Sequence, residues 1–480
     1  MLRRRPPVSL ASRPSPRRRG PAGRSHSALR TAGRDRRRAP LRRSGHRVRR
    51  ADLRCLQLRS ARALPLPPGT LRGQRPLLRA RGPRRPRQPG PSAEAPTGDL
   101  QTLAGRVARE KPRAMVWPTA EQEWVLRFAL GSPTDRRPAG DLDVRRLDDT
   151  TRRLLPLLYP KLRDLDVRGP LRDASEQEYR QTASRNAALF DRGRRLVDEL
   201  QQAGVVTLTL KGAALVARYY GDAGLRPMAD MDVAIPIASL FPSIAALHRA
   251  GWTPRYRLTT GFIRTRHAAP FATADGFACD LHWRIFAEPT PPGFEDELWT
   301  MSSEIDFHGV RTRALSSADQ LVHVCLHGAR WAPVPAVWWI GDAATIVHAG
   351  DVDWNGVVSR AVNARFVLRL REALGYLHDR LDVAIPPTVL DDLRARRVSA
   401  FERLEWRLLA REHRMLGELP TYWCHHRRSG EGGGLQGVLG FPAYLRDAWG
   451  LRSPADLPRA ATSRAVVRVR DALRRLGGVT

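Results

Sequence analysis

The chain has 480 residues, a length that suits two or three ordinary domains, and its formal net charge is +34 at pH 7. Residues 1–114 hold 31 arginines and 1 lysine against 5 acidic residues, which leaves a net charge of +7 for residues 115–480. The excess charge therefore belongs to the first 114 residues and says little about the rest. The sequence lacks an apolar run of about 18 residues and an apolar signal-peptide core, so we expect no membrane span and a cytoplasmic location.

Residues 1–114 are dense in arginine, proline and glycine, and they predict a disordered leader because they offer too little apolar surface to offset chain entropy. Three explanations compete for this leader: a basic arm that binds nucleic acid, an arginine-rich transit peptide, or upstream sequence read ahead of a true start at Met115. We favour the third, because the preference for arginine over lysine across the chain is typical of GC-rich coding sequence. Nucleic acid is an expected partner only if the leader is part of the natural protein.

Residues 115–204 predict a helical region. The strongest helix runs from Ser175 to Gly204, with Ser175 and Glu178 as a capping box and Gly204 as the stop. Its apolar side chains recur at helical spacing and predict one buried face.

Residues 205–300 alternate between strand and helix patterns and predict a small α/β core. The expected strands are 205–210, 230–236, 261–271 and 276–286, the expected helices are 211–220 and 237–250, and a turn at Asp275–Gly276 joins the last two strands.

Residues 301–428 predict a C-terminal helical domain. Ser316 and Asp319 form a second capping signature, and 353–381 gives a long helical pattern. Residues 429–480 predict a flexible linker followed by a basic tail. The body is therefore expected to be an α+β core flanked by N-terminal and C-terminal helical regions.

Three aspartates are the candidate metal ligands. Asp230 and Asp232 are two residues apart, so on a strand both carboxylates point to one face, where a bound Mg²⁺ would offset their repulsion. An isolated pair of this kind is more often a surface feature. Asp280, however, lies among apolar residues of a later strand, where a carboxylate is costly to bury without a partner. Three such carboxylates suit a two-metal nucleotidyl-transfer site.

Two further positions are candidates for nucleotide binding. Lys211–Gly212 lies at a strand-to-helix transition, where backbone N–H groups can face a phosphate. Arg226 precedes Asp230 by four residues, in a loop from which its guanidinium could reach a triphosphate. The alternatives are an exposed cap charge for Lys211 and a solvated loop charge for Arg226.

Histidines near these residues have weaker functional signals. His282 shares a strand face with Asp280, where it could orient the carboxylate or act as a base, but a packed strand histidine is the favoured interpretation. His323 and His327 are four residues apart on a predicted helix without an acid in an HExxH arrangement, so we expect packing rather than a zinc site.

The runs "LKGAALVARYY", "LRPMADMDVAI" and "CDLHWRI", followed by "LHGARW", "VWWIGDAATIV" and "DVDW", are the basis of a family resemblance. In this order, over about residues 180–415, they resemble the uncharacterised nucleotidyltransferase family of the DNA polymerase β-like superfamily. The resemblance implies a mixed sheet, Asp230, Asp232 and Asp280 as ligands of Mg²⁺ or Mn²⁺, and Lys211–Gly212 as the phosphate-facing turn. The chain departs from the wider superfamily at Ala213, where that turn usually has serine or glycine.

The function predicted from these features is metal-dependent transfer of a nucleoside monophosphate from an NTP to a hydroxyl of an unknown acceptor, which is a small molecule, a protein or an RNA. The alternative is a non-catalytic nucleotide-sensing or partner-binding module on a degenerate transferase fold. The Ala213 departure is the reason to keep this alternative.

Overall fold

A computed structural model describes residues 116–131, 142–330, 337–411, 416–430 and 434–466. The predictions for the leader and for Met115 lie outside these residues. The strands β1 to β7 are, in chain order, Leu208–Thr209, Met231–Ala234, Thr253–Pro254, Ala268–Ala272, Ala278–His282, Ser303–Phe307 and Val310–Ala314. The helices α1 to α16 are, in chain order, Ala120–Leu130, Asp149–Arg152, Leu155–Asp164, Pro170–Gln202, Lys211–Leu215, Leu240–Arg249, Thr260–Thr265, Phe294–Met301, Ser317–Gly328, Trp338–His348, Trp354–Asn363, Val367–Leu381, Pro387–Ala395, Ala400–Leu409, Leu419–Arg428 and Gly434–Ala448.

The seven strands form one mixed sheet in the order β3-β4-β5-β2-β1-β7-β6. Strand β2 pairs parallel to β5, and β1 pairs parallel to β7, whereas the other neighbours are antiparallel. The predicted α+β class with a mixed sheet is confirmed. The central position of β2 matters for the site, because its residues have strand partners on both sides.

Helices α4 and α7 differ from the sequence-based predictions. Helix α4 begins at Pro170 instead of Ser175, because proline in the first turn needs no N–H partner and already has a helical φ. The predicted strand 261–271 begins as helix α7, since the Thr259 hydroxyl caps it by accepting the Phe262 N–H at 3.1 Å. Only the second half of that segment enters the sheet, as β4.

The hairpin formed by β6 and β7 lies in the segment that we expected to be helical after residue 301. Its turn contains His308 and Gly309, both with positive φ. Along β7 the side chains alternate between buried Val310, exposed Arg311 and buried Thr312, a period-two signal that the sequence did contain. The hairpin extends the sheet beyond β1 and is part of the α/β core.

The N-terminal and C-terminal helices share one hydrophobic core. Val125 of α1 belongs to the same buried cluster as Leu321 of α9 and Leu370 of α12. The Trp117 ring stacks on Tyr376 with ring centroids 4.4 Å apart. A second cluster fills the space between the sheet and helices α4 and α6. The two predicted helical regions therefore meet in one layer instead of flanking the sheet independently.

Helix α16 lies in the segment expected to be a linker and basic tail. It packs on α7, where Arg264 Nη2 is 2.5 Å from Asp447 Oδ2. Arg266 Nη2 donates to the Tyr422 hydroxyl at 2.6 Å, which joins α15 to the same surface. In the described ranges, all helices are too short or too polar to cross a membrane.

Glu295, in the first turn of α8, makes the stability of the fold depend on pH. Burial raises its pKa to about 7, although its carboxylate accepts the Ile285 N–H at 3.0 Å. Since this value exceeds the ordinary 4.5, stability is lost as pH rises from about 4.5 to about 7. We expect Glu295→Gln to remove this loss, so that urea denaturation shows the variant gaining up to about 3 kcal/mol over wild type from pH 4.5 to 8. A difference that does not change with pH would contradict this assignment.

Candidate active site

The pairing of β2 with β5 brings two of the predicted carboxylates together. In the parallel register Asp232 lies directly opposite Asp280, and Ala234 lies opposite His282. Residues two apart on a strand point to the same face, so Asp280 and His282 face the same side of the sheet. Asp230 directly precedes β2, two residues before Asp232.

Asp232 is the most enclosed of the three carboxylates, with 5% of its surface exposed. Its Oδ1 accepts a hydrogen bond from Lys211 Nζ at 2.6 Å and lies 2.9 Å from His282 Nε2. His282 is therefore a partner of Asp232, across the strand pair, and it makes no hydrogen bond to Asp280 that would support the orienting role considered from the sequence. These two partners offset the free-energy cost of burying the Asp232 carboxylate.

The three carboxylates interact strongly with one another. Burial, followed by the charges of Asp232 and Asp280, raises the pKa of Asp230 to about 6. Burial and the Asp232 charge also raise the pKa of Asp280. Burial would raise the pKa of Asp232 too, but the Lys211 ammonium and the His282 hydrogen bond outweigh it and hold that pKa well below its usual range. The site thus contains more carboxylate than its own cations neutralise.

The donor set fits a divalent cation. Among the described residues, ligand atoms of Asp232, Asp280 and His282 lie within 4.8 Å of one another. Asp230 is outside this group, although its charge is coupled to both aspartates. Crowded carboxylate oxygens are the ligands that Mg²⁺ and Mn²⁺ prefer, and one imidazole nitrogen is compatible with Mn²⁺. The roles of the three aspartates as metal ligands remain a prediction.

The turn at Lys211–Gly212 lies beside the carboxylates, at the start of α5. Lys211 has φ +46°, a left-handed conformation that is unfavourable for a residue with a side chain. Gly212 is buried, and a Cβ added to it would lie 2.3 Å from Arg226 Nη1. The fold therefore brings Lys211, Gly212 and Arg226 together, as the sequence-based prediction of a shared nucleotide-binding role requires.

Arg226 is held by a carboxylate that the sequence did not identify. Its Nε and Nη2 donate to Asp342 Oδ1 and Oδ2 at 2.7 and 2.8 Å, and the Tyr220 hydroxyl donates to Asp342 Oδ1 at 2.9 Å. Asp342 lies on α10, so this bidentate pair connects the loop before β2 to the C-terminal helices. Two of the three guanidinium nitrogens are thus engaged, and Nη1 lies at the Gly212 turn. The predicted contact of Arg226 with a nucleotide remains a prediction.

The missing side chain at Gly212 has a measurable consequence. A methyl group there would meet Arg226 Nη1 at 2.3 Å and Met228 Sδ at 2.5 Å, and Arg226 cannot withdraw without breaking its bonds to Asp342. We expect Gly212→Ala to lower the free energy of unfolding by about 1–3 kcal/mol. Gly375→Ala is the matched control, because that helical glycine has open space around it and should become slightly more stable. If the two substitutions changed the free energy of unfolding equally in urea denaturation, steric crowding at Gly212 would be refuted.

Sequence reasoning also missed a group of residues on the Lys211 side of the site. His267, Glu288 and Arg330 line a narrow cleft together with Lys211 and His282. They are far apart in the sequence and carry no local motif. His323 of α9 lines the same cleft and packs against Phe286, with ring centroids 5.5 Å apart, which agrees with the packing expected for it.

Comparison with known proteins gives a family match. Residues 150–382 match a protein family described as uncharacterised nucleotidyltransferase, which confirms the resemblance found in the sequence. A search of the curated proteins found no match.

Eight chains of solved structures also match. They include a solution structure of the antibiotic-resistance factor ANT(2″)-Ia, with 15% identity, TM-score 0.28 and coverage of 41% of this chain and 98% of that chain. A crystal structure of ANT(2″)-Ia in complex with adenylyl-2″-tobramycin has 15% identity, TM-score 0.27 and coverage of 35% and 91%. A crystal structure of an antigenic nucleotidyltransferase-like protein from Paracoccidioides brasiliensis has 15% identity, TM-score 0.28 and coverage of 44% and 94%.

Proposed function

Since the chain carries, at residues 150–382, a domain of the uncharacterised nucleotidyltransferase family, we propose that it transfers a nucleoside monophosphate from an NTP to the hydroxyl group of an acceptor. The proposal assigns Asp230, Asp232 and Asp280 as ligands of Mg²⁺ or Mn²⁺. It assigns Lys211, Gly212 and Arg226 to the nucleotide phosphates.

One observation carries this proposal: the opposed pair of Asp232 and Asp280 on parallel strands, with Asp230 coupled to both. Burial and mutual repulsion make these carboxylates costly to ionise together, which is the situation that a bound divalent cation relieves. Lys211 donates to the Asp232 carboxylate, whereas the Asp280 side chain has no hydrogen-bond partner among the described residues. Bound Mg²⁺ or Mn²⁺ would supply charge stabilisation to the transferred phosphoryl group.

The remaining residues would bind and orient the NTP. The Lys211 side chain is 21% exposed, and its ammonium is close enough to Asp232 to contact a phosphate held at the same site. Arg226 Nη1 lies at the Gly212 turn while Asp342 holds the other end of the guanidinium, so this charge is fixed in position. Preorganised cations of this kind stabilise charge that develops during transfer.

The reaction is a substitution at the α-phosphorus of the NTP. The acceptor oxygen forms a bond to the α-phosphorus, the bond from that phosphorus to the bridging oxygen breaks, and pyrophosphate leaves. The hydroxyl proton is released to solvent. No oxidant or reductant takes part in this balance.

The proposal is tested by incubating the protein and cell extract with each NTP labelled at the α-phosphate, with Mg²⁺ or Mn²⁺. Label should appear on an acceptor, whereas unchanged NTP in every reaction would count against an enzyme. Calorimetry tests the site itself, because Asp230→Asn should abolish metal-dependent NTP binding without unfolding the protein. Wild-type affinity in this variant would remove Asp230 from the site.

The second candidate is a non-catalytic nucleotide-sensing or partner-binding module. It is favoured by Ala213, which follows Gly212 in the chain and is buried. Alanine offers no hydroxyl at this position, where the wider superfamily usually has serine or glycine. The same experiment separates the two functions. Metal-dependent NTP binding without transfer of label would identify a sensor.

A further inference from the structure

A cleft beside the proposed transfer site is lined by several imidazoles and by two partly buried cations. Lys211 and His282, which both contact Asp232 Oδ1, line this cleft, so a ligand inside it would lie next to the transfer site. His323 and His327 of α9 also line it, with ring centroids 6.1 Å apart. Arg330, two residues after the end of α9, completes the lining.

Two of these imidazoles present buried nitrogen atoms without partners. His282 and His323 are 1% and 3% exposed, and the Nδ1 atom of each has no hydrogen-bond partner in the described part of the chain. A buried polar atom that is left unpaired destabilises the folded protein. Both residues line the cleft, so a hydrogen-bonding ligand there would satisfy atoms that the fold leaves unsatisfied.

The charges around the cleft favour an anion. Its own carboxylate, Glu288, is already neutralised by Arg369, whose Nη1 is 2.6 Å from Glu288 Oε1. Lys211 is paired with Asp232, but Arg330 forms no ion pair with a carboxylate of the described residues. Burial lowers the pKa of the Arg330 guanidinium, although the Glu288 charge opposes this. The cleft thus holds a positive charge that a negatively charged ligand would neutralise.

A metal ion is a poorer fit for the same cleft. The cluster of metal-type ligands found among the described residues consists of Asp232, Asp280 and His282, and it includes none of the imidazoles of α9. Lys211 and Arg330 would also repel a cation placed between them. Burial lowers the pKa of His323 to about 3, so its imidazole is neutral and has one N–H that it can donate to an oxyanion.

We propose that this cleft binds an anionic oxygen group, a phosphate or a carboxylate, on the acceptor that receives the nucleotide. The proposal rests on the proposed function, since it takes the neighbouring carboxylates as the transfer site. The unfilled space is about 10 Å³, room for about one water molecule, so oxygen atoms of one terminal group would enter while the rest of the acceptor stays outside.

The test is calorimetric titration of the full chain with inorganic phosphate and, separately, with acetate at constant ionic strength, without nucleotide or metal. We expect one of the two anions to bind, and the preferred anion identifies the acceptor group as phosphate or carboxylate. Arg330→Gln should weaken this binding at least about tenfold, because a charge-assisted hydrogen bond is lost. Arg407→Gln, at an exposed arginine of α14, is the matched control and should bind as wild type does.

A second variant covers the case in which Arg330→Gln does not fold. His323→Leu removes one unpaired imidazole without changing the charge of the cleft, and it should also weaken the binding of the anion. The proposal would be overturned if wild type bound neither anion. It would also be overturned if the folded Arg330 and His323 variants bound the anion with wild-type affinity.

Repeating the titration with saturating metal and a non-hydrolysable NTP analogue separates the acceptor from the nucleotide. The anion should still bind to the ternary complex, because the cleft is assigned to the acceptor. Displacement by the analogue would assign the cleft to the NTP phosphates and overturn the acceptor role. Since the first titration needs neither NTP nor metal, failure of nucleotidyl transfer is distinguishable from failure of the anion site.

Discussion

Asp232→Asn is expected to reduce transfer of the α-phosphate label by at least about 100-fold, the largest functional effect that the site predicts. Asp232 lies opposite Asp280 and accepts the hydrogen bond from Lys211. Asparagine preserves the shape and the acceptor oxygen but removes the charge, which leaves the Lys211 ammonium uncompensated beside the cation site. A loss of several kcal/mol of transition-state stabilisation corresponds to this reduction in rate.

The measurement is the rate of label transfer at saturating metal, with circular dichroism to establish that the variant is folded. Asp391→Asn, at an exposed aspartate of α13, changes the net charge equally and should leave the rate unchanged. A folded Asp232→Asn protein that retains half of the wild-type rate would show that this carboxylate is not part of the transfer site. If wild type transfers no label, metal-dependent NTP affinity is the quantity to compare.

Asp342→Asn should have the largest effect on stability, lowering the free energy of unfolding by about 3–5 kcal/mol. The substitution leaves the Arg226 guanidinium, 13% exposed, without its counter-charge. It also weakens the acceptor of the hydrogen bond from the partly buried Tyr220 hydroxyl. The pair joins the loop before β2 to α10, so the loss would loosen the connection between the transfer site and the helical layer.

Urea denaturation measures this effect, with Asp392→Asn as the control. Asp392 pairs with Arg396 through two hydrogen bonds of 2.9 and 3.0 Å, but both side chains are more than 40% exposed, so that pair should contribute at most about 1 kcal/mol. Similar losses of unfolding free energy in the two variants would show that burial does not determine how much the Arg226–Asp342 pair contributes to stability. The Mg²⁺-NTP affinity of folded Asp342→Asn then reports whether fixing Arg226 matters for nucleotide binding.

The parts of the fold that were predictable have strong local signals. The strand that carries Asp232 is short, apolar on both sides and flanked by a glycine- and proline-containing loop, and it forms β2 as expected. Ser316 caps α9 as predicted, because its hydroxyl accepts the Asp319 N–H at 3.2 Å. The prediction of a strand at helix α7 was wrong, because its apolar residues fit both periods and the Thr259 cap favours the helix.

The candidate site was predictable in its residue types and only partly in its contacts. Asp230 and Asp232 were identified by period-two spacing, and Asp280 by an acid among apolar neighbours. Their proximity follows from the parallel pairing of β2 with β5, which no local pattern specifies. The family resemblance implied a mixed sheet but not this pairing. The pairing of His282 with Asp232 follows from the same register, so it could not be predicted without the strand order.

By itself the sequence predicted a carboxylate-bearing strand, a lysine–glycine turn and a later acidic strand within an α/β core, because strand period, turn chemistry and buried charge are local properties. That this core is nucleotidyltransferase-like was implied by the family resemblance. Tertiary structure alone decided that Asp342 holds Arg226 and that His282, His323 and Arg330 share a cleft beside Asp232. These contacts join residues that are between 7 and 116 positions apart. Side chains brought together by separate elements leave no repeating pattern in the chain, so only the packing of helices on the sheet reveals them.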